Sequence, residues 1–299
     1  MMTGILRKVI AGFCYVEAGQ FIYECKPRGN IKRIMGNILA GDSVEFTPLE
    51  NQKGTVEKIN PRKNRLIRPP LANVDTLFIV SSYCTPSPNT LLIDRLTAIA
   101  ESKDIEIVII FNKADLGDFE ELTHIYELAG FKVFVVSTKE PASLNELRDY
   151  LFSLEGVSAF TGNSGVGKSS ILNILLPELS LKTGMVSDKL GRGKHTTREV
   201  ELFKLSNGGY IADTPGFSSL DIERCEVVLK DELAYCFKEF NNFLTECRFS
   251  TCTHTGEPDC GVINAVNKGL VSRSRHENYV TLYNEIKDIK EWNLNKNKK

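Results

Sequence analysis

The run GNSGVGKSS, residues 162–170, constrains the fold of this chain more than any other segment. It matches the phosphate-loop pattern G-x-x-x-x-G-K-[ST] at Gly162, Gly167, Lys168 and Ser169. Glycines let successive backbone N–H groups turn inward and cradle a β-phosphate. Lys168 is placed to neutralise β- and γ-oxygens, and the Ser169 hydroxyl to sit on Mg²⁺. Asn163, Ser164, Gly165, Val166 and Ser170 complete the wrap. From average composition, a chance match in a chain of 299 residues is expected on the order of 1% of the time. The preceding VSAF reads as a strand and the following SSILNILL as a helix. A helix N-terminus at that point adds its own attraction for anions.

The surrounding chain supports an α/β fold. VDTLFIVSS, IEIVIIFN, FKVFVVS and VSAFTG are near-continuous apolar runs, suited to strands buried on both faces. LLIDRLTAIAESK (91–103) and LNELRDYLFSL (144–154) read as helices between them. This alternation implies a mostly parallel sheet with helices on both faces. EVELFKL (199–205) and GYIAD (209–213) add two strands. The first 60 residues are different: GILRKVI, FCYVEA, QFIYECK, DSVEFTPL and GTVEKIN are short strands broken by Gly and Pro. They suggest a small β-barrel or sandwich. NPRKNRLIRPP (60–70) reads as a linker. After about Leu220 the strands stop, and VVLKDELAYCFKEF (227–240) and HENYVTLYNEIKDIKEW (276–292) read as helices. The second places Tyr279, Leu282, Tyr283, Ile286 and Ile289 on one face.

A composition of 42% hydrophobic and 25% charged residues is that of a soluble globular protein, and runs such as IVIIF are too short to span a membrane. VIAGFCYV near the N-terminus is too short and mixed for a signal peptide, so a cytoplasmic location is expected. Residues 1–68 hold twelve Lys/Arg against six Asp/Glu, an excess that suits either a polyanionic partner or a well-solvated surface.

NKAD (112–115) follows the strand IEIVIIF. A carboxylate at Asp115 can accept from guanine N1–H and the 2-amino group together, whereas adenine offers no such pair of donors. Asn112 would support the loop, and the stem of Lys113 could cover a base face. STK (137–139) ends the next strand, so Ser137, Thr138 and Lys139 could meet the O6 side. DTPG (213–216) ends GYIAD: Asp213 suits a water-mediated Mg²⁺ contact, and the Gly216 N–H could sense a γ-phosphate. Between them KLGRGKHTTRE (189–199) fits a switch segment, with Thr196 or Thr197 available to close on the metal and γ-phosphate. Phe217 stands where Ras-type enzymes use a Gln to orient water, and a phenyl ring offers that water no hydrogen bond. His195 is the nearest suitable polar group, and slow hydrolysis without a partner is expected. The base-recognition loop therefore precedes the phosphate loop, the reverse of the ordinary order.

Eight cysteines in a chain this long do not suggest a disulfide scaffold. Cys247, Cys252, His254 and Cys260 fall within fourteen residues. Three thiolates and one imidazole suit a closed tetrahedral zinc site of structural type. Cys14, Cys25, Cys84, Cys225 and Cys236 read as ordinary thiols.

Taken together, NKAD, STK, GNSGVGKSS, GRGKHTTR and DTPGF, in that order, resemble the ribosome small-subunit-dependent GTPase A family. The resemblance covers nearly the whole chain. It implies a circularly permuted P-loop GTPase domain at 67–221, preceded by an OB-type β-barrel at 1–66 and followed by an α-helical zinc-binding domain at 222–299. It also implies GTP with Mg²⁺, one structural zinc on Cys247, Cys252, His254 and Cys260, and contact of the barrel with ribosomal RNA. The implied partner is the small ribosomal subunit, late in its maturation and stimulating hydrolysis. A monomer is the simpler expectation. Competing readings are an ATP-driven nucleic-acid enzyme and a module whose nucleotide site is vestigial. The permuted order joins DTPGF directly to the C-terminal module, so that module is expected to respond to the γ-phosphate.

Overall fold

The computed structural model describes residues 1–32, 38–67, 69–177, 200–213 and 227–289. Strands β1 (Met2–Ile10), β2 (Phe13–Ala18), β3 (Phe21–Pro27), β4 (Ser43–Leu49) and β5 (Lys53–Ile59) close into a barrel in the order β1-β2-β3-β5-β4, an OB-type arrangement. Leu6, Cys14, Val16, Cys25, Val44, Phe46 and Val56 alternate inward and fill it. A short helical turn, α1 (Gly29–Lys32), follows β3.

The segment 60–70 is not a free linker. It contains β6 (Arg65–Leu66), which pairs with β7 (Leu71–Ala72) in a two-stranded ribbon. Leu66 and Leu71 are buried, and Arg62 holds the fully buried Asp42 through two contacts of 2.6 and 2.9 Å. Apolar side chains and a buried carboxylate needing a cation dock this basic stretch.

Six strands form the central sheet in the order β10-β9-β8-β11-β13-β12. They are β8 (Val74–Ser82), β9 (Glu106–Asn112), β10 (Lys132–Val135), β11 (Val157–Gly162), β12 (Glu201–Lys204) and β13 (Tyr210–Asp213). Every pair is parallel except β12 with β13. Side chains alternate between two cores. Leu77, Ile79, Ile107, Ile109 and Phe111 face α2 (Thr90–Glu101) and α3 (Glu120–Leu128). Phe78, Val80, Val108, Ile110 and Phe160 face α4 (Asn145–Ser153) and α5 (Lys168–Leu175). Continuous apolar runs were needed because both faces are covered.

The C-terminal module packs onto the α2/α3 side and shares its core. Its helices are α6 (Lys230–Leu233), α7 (Gly261–Asn267) and α8 (Arg273–Ile286). The single helix expected over 227–240 is broken into α6 and a 3-10 turn at Lys238–Phe240, with Phe237 at φ −95 and ψ 82. Residues 236, 237, 239 and 240 are all buried, more than one helical stripe accommodates. The last helix starts at Arg273 and stops at Ile286, short of the expected 292. Tyr279, Leu282 and Ile286 are buried as expected, while Tyr283 and Ile289 are partly so.

Arg275 pins the module to the sheet domain. It is fully buried, donates to both oxygens of Glu239 at 2.6 and 3.0 Å, and reaches across to Asp94 of α2 at 2.7 Å. Its guanidinium also lies over Phe131, 5.2 Å from the ring centre. Removing one partner of such a pair typically costs about 3–5 kcal/mol, because a buried charge is left uncompensated.

The barrel is tied to the β12–β13 edge of the sheet through Glu17. Arg7 pairs with it at 2.5 Å, Lys204 at 2.5 Å, and Tyr210 donates to it at 3.2 Å. Burial alone would raise this carboxyl, but hydrogen bonds from Lys204 and Arg7 outweigh it and hold the group below its ordinary range. The folded carboxyl thus ionises at lower pH than the unfolded one. Its stabilisation is complete above the ordinary glutamate range and is lost as pH falls through the folded value. Glu17→Gln is expected to lower the thermal unfolding midpoint at neutral pH, with the gap to the parent chain closing in acid. A gap independent of pH would refute this reading.

Candidate functional site

The phosphate loop leaves β11 and the NKAD loop leaves β9, on either side of β8. Both emerge at the carboxyl ends of parallel strands, where the chain reverses its direction across the sheet. This is where open α/β sheets place their ligands.

Gly162 and Gly167 have φ of 148 and 96. A Cβ at Gly162 would strike the Val80 carbonyl, and one at Gly167 the amide of Asn112. Glycine is therefore required both by conformation and by close approach. Lys168 opens α5, and its Nζ donates to the carbonyls of Gly162 at 2.7 Å and Asn163 at 2.9 Å. Burial pushes this ammonium down to about 8, so its charge is held at a cost that an anion in the loop would relieve. Ser169 is exposed at the second position of α5 and Ser170 is half-buried beside it. Ser164 and Gly165 are exposed at the loop tip, and Val166 is buried beneath it.

Asn112 is buried and its Nδ2 donates to the Val166 carbonyl at 2.8 Å. This bond ties the NKAD loop to the phosphate loop across 54 positions of sequence. Lys113 sits at φ 65, and its Nζ donates to the carbonyls of Cys84 and Thr85, each at 3.0 Å. Lys113 thus anchors its loop to the segment that follows β8. Asp115 accepts from the Ser137 hydroxyl at 2.6 Å and pairs with Lys139 at 2.8 Å. Hydrogen bonds from Lys139 and Ser137 keep its carboxyl below the ordinary range, hence ionised. Thr138 lies between these two residues on the same turn. The structure thus brings the NKAD, STK and phosphate-loop residues together. Asp213 ends β13, adjacent to β11, and is described by its backbone. His195, Thr196, Thr197, Gly216 and Phe217 lie outside the described residues.

A second site lies in the C-terminal module. The donor atoms of Cys247, Cys252, His254 and Cys260 all fall within 4.8 Å of one another. His254 Nδ1 is 3.5 Å from the sulfurs of both Cys247 and Cys260, and those sulfurs are 3.9 Å apart. Tetrahedral zinc bonds imply S···N near ~3.5 Å and S···S near ~3.8 Å, so the donor set fits the ion. Burial and neighbouring thiols push Cys252 up to about 12, and burial lowers His254, leaving the imidazole neutral as a ligand must be. Outer contacts hold the ligands: His276 bonds the His254 carbonyl at 2.8 Å, and the Gly261 N–H points at the Cys247 sulfur at 3.4 Å. Glu257 accepts from the Thr253, Thr255 and Gly256 N–H groups, bracing the ligand loop.

Residues 59–223 match the family model described as RsgA GTPase, and residues 3–56 match that described as RsgA N-terminal domain. The chain belongs to the RsgA GTPase family. A relative from Alkaliphilus metalliredigens, named small ribosomal subunit biogenesis GTPase RsgA, is 44% identical over 96% of this chain and 98% of its own. One of the same name from Caldanaerobacter subterraneus subsp. tengcongensis is 42% identical over 96% of each chain. Among solved structures, YjeQ from Thermotoga maritima superposes with a TM-score of 0.80 at 35% identity, covering 97% of this chain and 99% of its own. YloQ, described as a circularly permuted GTPase, gives 0.78 at 33% identity, covering 97% and 96%. The fold is thus the circularly permuted GTPase domain with an N-terminal barrel and a C-terminal module bearing the Cys/His cluster.

Three features of this RsgA-family chain were not legible beforehand. The Cys84 and Thr85 carbonyls that hold Lys113 are backbone groups and leave no mark in side-chain pattern. Glu17 and Arg275 look like ordinary surface charges until their partners, 187 and 181 positions away, are brought to them. The basic excess of residues 1–68 is also partly consumed. Arg7, Lys8, Arg28, Lys58, Arg62 and Lys63 all have carboxylate partners, two of which, Asp75 and Glu201, lie outside that stretch.

Proposed function

We propose that the chain hydrolyses GTP as a biogenesis factor of the small ribosomal subunit, binding that subunit and its rRNA in the cytoplasm and assisting its late maturation. The observation that carries the reading is the Asn112–Val166 hydrogen bond, which joins a guanine-selective carboxylate loop to a phosphate loop in one crevice. In this reading Asp115 reads guanine, supported by Asn112, Lys113, Ser137, Thr138 and Lys139. Residues 162–170 wrap the phosphates, with Lys168 on their charge. Ser169 would hold Mg²⁺ and Asp213 would reach it through water; the ion supplies charge neutralisation at the phosphates. Gly216 and Thr196 or Thr197 would sense the γ-phosphate, with His195 as the candidate hydrolytic group. Cys247, Cys252, His254 and Cys260 would hold one structural zinc. The modules are 1–66, 67–221 and 222–299, in a monomer. Relatives named for small-subunit biogenesis support the partner. No helix among the described residues is long and apolar enough to cross a membrane.

Phe217 leaves the attacking water without the usual amide, so hydrolysis is expected to need the subunit. Steady-state GTP turnover should rise at least roughly tenfold when small subunits are added, as expected when a partner completes the site. Fast turnover by the purified chain alone, unaffected by subunits, would overturn the proposal.

A further inference from the structure

The barrel grips the one part of the GTPase sheet that lies between the two γ-phosphate-sensing motifs. The β12–β13 hairpin, residues 201–213, is bounded in sequence by the HTT segment on one side and by DTPG, which begins at Asp213, on the other. β12 is the edge strand, and barrel strand β1 lies along it.

The contacts are specific. The β1–β2 register slips between Leu6 and Lys8, which makes Arg7 a bulge residue. Bulges re-aim side chains, and here the Arg7 Nε donates to the Leu202 carbonyl on the open edge while its guanidinium pairs with Glu17 and lies 5.8 Å over the Tyr210 ring. Glu17, almost fully buried, accepts from Lys204 of β12 and Tyr210 of β13, so one barrel carboxylate holds both strands of the hairpin. Lys8 pairs at 2.8 Å with Glu201, whose register partner across the hairpin is Asp213. The barrel is thus one residue pair away from the DTPG motif. The C-terminal module, by contrast, is fastened to α2 and α3 through Arg275, on the guanine side of the sheet. Segments that contact the γ-phosphate are the ones that rearrange in GTPases.

We propose that the barrel is the nucleotide-sensing module of this chain, with Glu17 as the positioning residue that makes it follow the β12–β13 hairpin while the C-terminal module stays fixed to the guanine side. The inference rests on the GTP-binding reading above. It reverses the expectation that the C-terminal module is the element that responds.

The test is pulsed dipolar distance measurement on the full-length protein, with spin labels carried by genetically encoded amino acids. One pair is Gln20 on the barrel with Thr281 on α8; the other is Glu121 on α3 with Thr281. Between GDP and a non-hydrolysable GTP analogue, the Gln20–Thr281 distance should shift by about 2 Å or more, and the Glu121–Thr281 distance should not. Glu17→Gln, and independently Lys204→Met, should remove at least half of that shift while nucleotide occupancy is unchanged. Occupancy is measured on the same samples. A chain that binds the analogue but shows no Gln20–Thr281 shift, or shows the same shift in both variants, overturns the coupling alone. A chain that takes up neither nucleotide overturns the function as well.

Discussion

Replacing Asp115 with Asn should exchange the nucleotide preference of the chain from guanine to xanthine. The Asp115 carboxylate is ionised and fixed by Ser137 at 2.6 Å and Lys139 at 2.8 Å. In the proposed site it would present two acceptors to the N1–H and 2-amino group of guanine. Asparagine keeps one acceptor and turns the other position into a donor. Against guanine that donor faces the 2-amino group and leaves buried groups unpaired. Against xanthine it meets the C2 carbonyl. Losses of this kind are typically large because unpaired polar groups remain in the site. GTP affinity should fall by roughly 100-fold or more, and XTP affinity should rise by a similar factor. Calorimetric titration with both nucleotides checks this; an equal loss for both would mean that Asp115 shapes the loop without reading the base.

The second large effect is expected on metal removal. The Cys247, Cys252 and Cys260 thiols and the His254 imidazole crowd together, and no side chain among them supplies positive charge. A zinc ion would provide it, and structural zinc sites bind with about 10–16 kcal/mol in small metal-dependent domains. Here the module also rests on the α2/α3 core through Tyr279, Phe237 and Arg275. Stripping the metal with a strong chelator, or Cys252→Ser, should therefore unfold the ligand loop over 247–260 while the GTP pocket continues to bind nucleotide. Hydrogen exchange should show lost protection there and retained protection in β8, β9 and β11. Metal analysis of the parent chain should find one zinc per molecule. A chain free of zinc with full protection at 247–260 would contradict the assignment.

Most of the sheet and the residues gathered at both candidate sites could be read from sequence, for physical reasons that differ between them. Strands buried on both faces leave unbroken apolar runs, so β8, β9 and β11 were visible. Phosphate and metal chemistry need fixed residue types at short spacing, so residues 162–170 and the Cys/His cluster were visible too. Two misreadings came from tertiary contacts. NPRKNRLIRPP looks like a linker because its charges and prolines dominate, yet Arg62 is called in by Asp42, and Leu66 by the core. The stretch 227–240 has helical period, but the demand to bury Phe237, Glu239 and Phe240 against Arg275 and Tyr279 breaks it. The reversed motif order proved harmless because β9 and β11 flank the same strand, β8, whichever is made first.

Equilibrium binding of GTP and ATP to the purified chain with magnesium tests whether loops met in reversed order assemble one guanine-selective site. The expected result is one GTP per molecule with ATP weaker by roughly 100-fold or more, since adenine offers the Asp115 carboxylate no pair of donors. Comparable binding of ATP would mean that these loops do not select guanine.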